Sequence, residues 1–574
     1  LKVAEMLKES PDIPYFCVFT EQAISDQLTY GILSRFVGEG EQQLTAEEKA
    51  RLRAFIITGK AACEGIRKHA PKARISFGWC EPIFSVPFMW EKFPKEFMDA
   101  IGIDTPQFER MPEMPVRSVA PNRLWMLREE MKRCGYEGIP IIHTESYFPS
   151  SHPLALGPQT AADHYVRTSV LSLALGTSRF MFCFTLHDCA DYWGSNHYGC
   201  IGITGPRPEF NPKPAFPAYA TMTRLLDQAT FDGYVPTGSH SAYCVRFKTP
   251  QGFVHCLWTI RGTRTATLAS AKTASFAQVD EHGNEKGLPG PATIMLKPTP
   301  IWVTSDQAIE KVALGMSSHA EQPGSNGLVL DTFDRPWVYD PAPYDRYAKN
   351  HWDLPRFPGP MKSQSGQAQG PAPTPPDAQR RGGPQCPPYL GPAWHIELSD
   401  PPKERPLAAW YGVFAPPKPI EIPGKARALG VWANGHSNWG RIIYEIEDAK
   451  GEIWQSVGTK DEWNCDDVHS WSYFNFDGWR WLEFPLPHNL PGDNYREKDT
   501  VWWNHSAEGI VDLPVKLTRI IIEMRTHNIY VNDLVPVADR SVQLDNLTAV
   551  YDNAEAMTDA PVRLQREGSR PANR

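Results

Sequence analysis

The sequence predicts a multidomain fold, α/β followed by all-β, and three observations predict it. The chain has 574 residues, too long for one core, because single cores stop growing at about 250–300 residues. Residues 1–230 alternate short apolar runs with helical patterns, which is how βα units on a parallel sheet are written. From residue 235 onward, short β runs separated by turn signals take over.

The elements of the first region follow in order. Pro14–Phe19 (PYFCVF) is a short apolar strand. Thr45–His69 is a helix, with Leu52, Phe55, Ile56, Ala62 and Ile66 at three-to-four spacing. Arg74–Trp79 (RISFGW) is the next strand, and Phe97–Ile103 ends a third unit at Asp104. Asn122–Cys134 is a helix and Pro140–His143 (PIIH) a strand; Thr160–Leu175 is a helix and Phe180–Thr185 (FMFCFT) a strand; Pro217–Gln228 closes the region as a helix. A complete (β/α)8 barrel needs eight strands and eight helices in about 250 residues. Residues 1–230 therefore read as the C-terminal five units of such a barrel, N-terminally truncated, with the first three expected upstream of Leu1. Lys2–Lys8 already reads as the last turns of a helix, and no signal peptide is visible. Half a barrel exposes a strand edge, so these residues alone are expected to be unstable.

Residues 231–310 are expected to form a small antiparallel β domain, with strands at Tyr243–Phe247, Phe253–Thr259, Thr265–Leu268, Ser275–Val279, Thr293–Leu296 and Ile301–Thr304. Residues 310–330 read as a connection. Residues 328–552 read as a jelly-roll-like β-sandwich, with strands at Trp394–Leu398, Ala428–Ala433, Gly440–Glu447, Trp479–Phe484, Leu517–Met524 and Val542–Tyr551. Within it, residues 355–389 are rich in Pro, Gly, Gln and Ser and predict a disordered insertion. Residues 553–574 read as a polar tail.

Composition excludes several function classes. The formal net charge is −8, from 58 basic and 66 acidic residues intermingled along the chain. No basic stripe argues for nucleic acid, and no polybasic tail argues for a membrane surface. No apolar run approaches the roughly 18–20 residues that span a bilayer. The 11 cysteines form no CxxC array; Cys17, Cys63, Cys183 and Cys256 read as small buried hydrophobes, while Cys189–Cys200 and Cys386–Cys465 are pairs that could close. The 19 tryptophans suit either sandwich cores or the flat apolar faces of sugar rings.

Barrel enzymes carry their chemistry at the C-terminal ends of strands. Glu21 follows PYFCVF and Glu145 follows PIIH, with two βα units between them. Three strands apart in an eight-strand barrel sets two side chains across the mouth. Facing carboxylates at about 5 Å suit double displacement at a glycosidic bond: one donates a proton, the other attacks the anomeric carbon. Glu81, after the second strand, is a rival. Asp104 would bind a hydroxyl or cap a helix. His143 shares a side with Glu145 by strand alternation and would tune it, or sit in the core as a hydrogen-bonded histidine. Tyr147 is placed to hydrogen-bond Glu145. His187, Asp188, Cys189, Asp191, His197 and Cys200 are dense in potential ligands but match no zinc spacing; His187 and Asp188 are expected to contact sugar hydroxyls, and no metal or cofactor is expected here.

The stretches PYFCVFTEQ, RISFGW, IGIDTPQF, IPIIHTES and FMFCFTLHDCADYWGSNHYG, followed by NPKPAFPAY, resemble glycoside hydrolase clan A, the retaining 4/7 barrel superfamily, near its β-xylosidase and iduronidase branch. The resemblance covers roughly residues 1–305. It implies a retaining glycosidase with Glu21 as acid/base, Glu145 as nucleophile and Trp193 beneath the sugar, with Trp79, Asp104, His143, Tyr147, His187 and Asp188 around the substrate. It also implies a secreted or cell-envelope location and a carbohydrate as partner. One position departs: the clan carries Asn before the acid/base, and this chain has Thr20. The stretch DDVHSWSYFNFDGWRWLEFPLP resembles carbohydrate-binding β-sandwich modules, which makes Trp463 and Trp471, in a polar loop, candidates for ligand contact and leaves room for a structural calcium held by loop carboxylates.

Overall fold

The computed structural model describes residues 2–10, 15–18, 45–77, 88–104, 111–114, 120–146, 148–150, 157–177, 186–189, 200–318, 326–335, 337–348, 356–358, 361–364, 393–398, 409–456, 473–487, 502–504, 511–525 and 541–553. Helix α1 (Lys2–Glu9) precedes a parallel sheet of β1 (Phe16–Val18), β2 (Ile75–Phe77), β3 (Ala100–Asp104) and β4 (Ile141–Glu145), in spatial order β1-β2-β3-β4. Helix α2 (Ala46–His69) connects β1 to β2, and α3 (Ala120–Cys134) connects β3 to β4. Sequential parallel strands with intervening helices are the βα arrangement the alternation predicts. The strands are short and mostly apolar, with Ser76 and His143 as buried polar residues at the centres of β2 and β4. Ile75, Phe77, Ile101, Ile103 and Ile141 pack with Leu52, Leu124 and Leu127 from the helices in one cluster. Helix α3 ends at Gly135, whose φ of +80° lets the Tyr136 amide reach back to the Met131 carbonyl at 2.6 Å. Helices α4 (Pro158–Ala174) and α5 (Ala215–Leu225) complete the helical part.

Downstream, the regular elements of the described residues are strands, apart from one short helix, α6 (Asp345–Ala348). Strands β5 (Thr230–Tyr234), β6 (Ala242–Thr249), β7 (Gly252–Thr259), β9 (Phe276–Val279), β10 (Glu285–Leu288) and β12 (Ile301–Ser305) form one antiparallel sheet, ordered β10-β9-β12-β7-β6-β5. Strands β8 (Arg264–Ser270), β11 (Thr293–Leu296) and β13 (Ile309–Leu314) form a second, ordered β11-β8-β13. Strand β13 corrects the expected connector at residues 310–330. Its burial pattern is uneven, and the mixed IEKVAL run hides it from a period-2 reading.

A second pair of sheets follows. One comprises β14 (Gly327–Asp331), β17 (Met361–Gln364), β18 (Trp394–Leu398), β21 (Ala428–Asn434), β24 (Arg480–Pro485) and β27 (Ser541–Val550); the other comprises β15 (Val338–Asp340), β16 (Arg356–Pro358), β19 (Ala409–Ala415), β20 (Ile420–Ile422), β22 (Arg441–Glu447), β23 (Ile453–Gln455), β25 (Trp503–Asn504) and β26 (Val515–Arg525). Their inner faces share one core that includes Trp394, Leu429, Ile442, Trp454, Ile520 and Val542. Two strands fall inside the insertion expected to be disordered: β16 pairs in parallel with β19, and β17 antiparallel with β18. Backbone pairing with strands already in place orders residues whose composition alone reads as coil. Residues 365–392 lie outside the described set.

The units are tied together by buried polar contacts. Trp439 Nε1 donates to the His240 carbonyl at 3.0 Å. Asp477 accepts from Ser239, Ser241 and Arg264 at 2.6, 2.9 and 2.5 Å. Burial alone would raise the Asp477 carboxyl, but these donors outweigh it and hold its pKa below the ordinary value. No helix among the described residues is long and apolar enough to cross a membrane.

Candidate active site at the C-terminal edge of the parallel sheet

Glu145 is the last residue of β4 and is 7% exposed. The apolar start of that strand, Ile141 and Ile142, anchors it in the sheet, so the first polar residues to follow emerge at its C-terminal end. Burying a carboxylate is costly, and sheets of this kind present their ligand sites at that end.

The end of β4 is not regular. Ile103 pairs with His143, and Asp104 with Glu145, so Thr144 is an extra residue in a β-bulge. Its Oγ1 donates to the Ile103 carbonyl at 2.9 Å, seating the bulge on β3. A bulge re-aims the side chains beyond it. It also breaks the strict alternation on which a shared side for His143 and Glu145 rests. His143 is 1% exposed, and burial pushes its pKa down to about 3, so near neutrality it is an uncharged imidazole.

The segment after Glu145 turns back into the protein. Ser146 is fully buried, and Phe148 packs edge-on against His164 and Tyr165 of α4, with ring centroids 5.5 and 5.0 Å apart. Ser150 is fixed to a second loop by its amide and hydroxyl, both donating to the Cys200 carbonyl at 3.2 and 2.9 Å. Lys213 joins these pieces: its ammonium reaches Ser150 Oγ at 2.6 Å, Asp188 Oδ1 at 2.6 Å and the Cys200 carbonyl at 3.1 Å. Asp188 Oδ1 also accepts from the Gly202 amide at 3.0 Å. At Gly202 a Cβ would lie 2.3 Å from the His187 carbonyl carbon, so only glycine allows this approach. Asp188 thus commits one oxygen to holding two loops and the head of α5 together. His187 packs its ring edge-on to Phe210 at 5.3 Å. Cys189 and Cys200 do not form a disulfide.

A buried polar triad anchors α4. Arg167 of α4 binds both oxygens of Glu113 at 2.6 and 2.5 Å, and Trp258 Nε1 of β7 donates to Glu113 at 2.9 Å. Glu113 is fully buried and Arg167 is 2% exposed. The bidentate geometry offsets the cost of desolvating both charges and fastens the helical part to the β domain. Neither this triad nor the Lys213 clamp is legible in the sequence. The only trace of the clamp is the Lys-Pro pair that opens α5.

Of the other residues singled out, Asp104 ends β3 as the register partner of Glu145. Thr20, Glu21, Trp79, Glu81, Tyr147, Trp193, Trp463 and Trp471 lie outside the described residues. Glu21 stands three positions beyond Val18, the last residue of β1, and β1 is three strands from β4 in the sheet. Among the described residues no group of three or more His, Cys, Asp or Glu side chains is arranged to hold a metal.

No family model matches the chain. A flagellar filament outer layer-like protein of Brachyspira hyodysenteriae is 29% identical over 87 residues, 15% of this chain and 34% of that protein. The chain thus spans about a third of the length of the curated relative it matches. Similar solved structures include a family 39 glycoside hydrolase of Bacteroides cellulosilyticus, with a TM-score of 0.41, 17% identity and coverage of 53% of this chain and 60% of that one. A family 30 endoxylanase of Clostridium papyrosolvens has a TM-score of 0.33 and 11% identity over 53% of this chain and 68% of that one. A family 86 β-porphyranase of Bacteroides plebeius has a TM-score of 0.32 and 9% identity over 86% of this chain and 76% of that one.

Proposed function

We propose that this chain is a retaining glycoside hydrolase acting on poly- or oligosaccharides. The observation that carries the reading is Glu145, a carboxylate 7% exposed at the C-terminal end of the fourth of four sequential parallel strands. In this reading Glu145 attacks the anomeric carbon, and a covalent glycosyl ester forms as the glycosidic bond breaks. Glu21 gives its proton to the leaving oxygen, then takes one from the water that hydrolyses the ester. The in-order sheet supports this pairing, since β1, which ends three positions before Glu21 in sequence, is three strands from β4. His143, neutral at working pH, would leave the nucleophile's charge uncancelled. Trp79, Tyr147, Trp193 and His187 would line the sugar, and Trp463 and Trp471 would contact glycan from the sandwich. A secreted or cell-envelope location fits a polysaccharide substrate. The test is hydrolysis of a polysaccharide panel by wild type, Glu145→Gln and Glu21→Gln. Both variants should lose turnover while remaining folded, and turnover by Glu145→Gln at the wild-type rate would exclude the reading.

A second reading is a glycan-binding surface protein without turnover. Two features favour it: Thr20 in place of asparagine, and the short likeness to a flagellar filament outer layer-like protein. Polysaccharide binding by the wild type with no product released would select it.

A further inference from the structure

Lys213 meets as many acceptors as its ammonium has donors. A lysine ammonium carries three N–H groups and accepts nothing. Ser150 Oγ at 2.6 Å, Asp188 Oδ1 at 2.6 Å and the Cys200 carbonyl at 3.1 Å take one each. The backbone is held as well, because the Lys213 amide donates to the Ile203 carbonyl at 3.0 Å. The side chains of Lys213 and Asp188 are 14% and 12% exposed. An exposed ion pair adds little to a fold, but one shielded from water in three-point geometry fixes the segments that supply its acceptors. Arginine is a poor substitute, since its planar fork does not converge on three acceptors around one atom.

The segment fixed this way is the one that leaves Glu145. Ser146 is fully buried. Phe148 packs in one cluster with Ala161 and Tyr165 of α4, Ile203 of the Cys200 loop and Ala215 of α5. The Tyr165 hydroxyl donates to the Ile201 carbonyl at 3.2 Å and ties α4 to the same loop. Apolar burial is non-directional, so it does not by itself set the path of this segment. The directional bonds come at Ser150, from its own amide and hydroxyl to the Cys200 carbonyl and from Lys213. The chain from Glu145 to Ser150 thus runs between two fixed ends, the parallel sheet and the clamp. A reacting group misplaced by about 1 Å loses about a hundredfold in rate, so the far end of that segment bears on the reaction.

We propose that Lys213, acting through Ser150 and Asp188, is a positioning residue for Glu145: it sets the path of the chain leaving the nucleophile, and so the angle at which the carboxylate meets the anomeric carbon. This rests on the nucleophile reading of Glu145. It gives Lys213 no contact with substrate and no proton to transfer, and it makes Asp188, expected from the sequence to meet a sugar hydroxyl, part of the same support.

The test compares the full chain as wild type, Lys213→Met and Lys213→Arg. Three readouts are used: the melting temperature, hydrogen–deuterium exchange of the peptide spanning residues 146–152, and kcat and KM on whichever 4-nitrophenyl xyloside, glucoside or galactoside the wild type turns over fastest. Methionine keeps the unbranched apolar stem of lysine and removes its three donors. Lys213→Met should stay folded at the assay temperature and exchange the 146–152 peptide tenfold faster or more. Its kcat should fall tenfold or more while KM stays within threefold. Lys213→Arg keeps the cation without the three-point geometry, so it should recover the melting temperature and only part of kcat. A purely structural role would lower activity in proportion to the unfolded fraction and leave kcat per folded molecule unchanged. That result, or exchange of the 146–152 peptide at the wild-type rate in Lys213→Met, overturns the positioning role and leaves the nucleophile reading intact. A wild type that turns over none of the three glycosides and no polysaccharide removes the nucleophile reading, and the positioning role falls with it.

Discussion

Asp104 and Glu145 are register partners across β3 and β4, brought opposite each other by one extra residue, Thr144, in the second strand. Deleting Thr144 should restore a regular register with Glu145 still opposite Asp104, and the lost bulge should straighten the strand end and re-aim the carboxylate on the same face. The expected outcome is loss of turnover with far-ultraviolet circular dichroism preserved. Thr144→Val, which removes only the hydroxyl bond to Ile103, should cost about 1 kcal/mol of stability and retain most activity. Urea denaturation and a rate assay on the same preparations check both.

The Glu113–Arg167–Trp258 triad should dominate the stability of the junction it spans. Glu113→Gln leaves a buried guanidinium uncompensated and should cost about 3–5 kcal/mol. Trp258→Phe removes one hydrogen bond and should cost about 1–2 kcal/mol. The double variant should cost less than the sum, because both act on one carboxylate. Additive losses in denaturation midpoints would show that Trp258 does not depend on Glu113.

Acid should destabilise the protein through His143. Its pKa falls from 6.5 to about 3 on folding, so between those values the unfolded chain binds the extra proton. Stability from this group is thus full above about pH 6.5 and is lost as pH falls toward 3, with a slope of about 1.4 kcal/mol per pH unit. Burial shifts His255 the same way. His143→Asn should therefore reduce the slope of stability against pH between 4 and 6 by one proton without abolishing it. An unchanged slope would show that His143 is solvated.

Asp477 joins the β domain to the sandwich through Ser239, Ser241 and Arg264. Asp477→Ala should cost about 1–3 kcal/mol and make cleavage between residues 315 and 327 faster in limited proteolysis. Proteolysis at the wild-type rate would show that other contacts hold the junction.

Much of the fold is legible in the sequence because its elements are periodic. Helix α2 and strand β18 match the expected Thr45–His69 and Trp394–Leu398 closely, since apolar spacing fixes both. The features that set the candidate site are not periodic. The Thr144 bulge depends on where β3 stops, and the Lys213 clamp joins residues 63 and 25 positions apart. Strands β16 and β17 form because partner strands lie beside a sequence that reads as coil. Glu145 could be singled out from its position after PIIH; its burial and its register with Asp104 could not.

The central claim is that Glu145 is the nucleophile of a double displacement. Its most direct test is covalent trapping of the full chain with 2,4-dinitrophenyl 2-deoxy-2-fluoroglycosides of the xylo, gluco and galacto series, followed by peptide mass spectrometry. One of these reagents should inactivate the protein with one fluoroglycosyl group attached, borne by the peptide at Glu145, and Glu145→Gln should stay unlabelled. A label on another carboxylate, or hydrolysis of a natural glycan with inverted anomeric configuration, would contradict it.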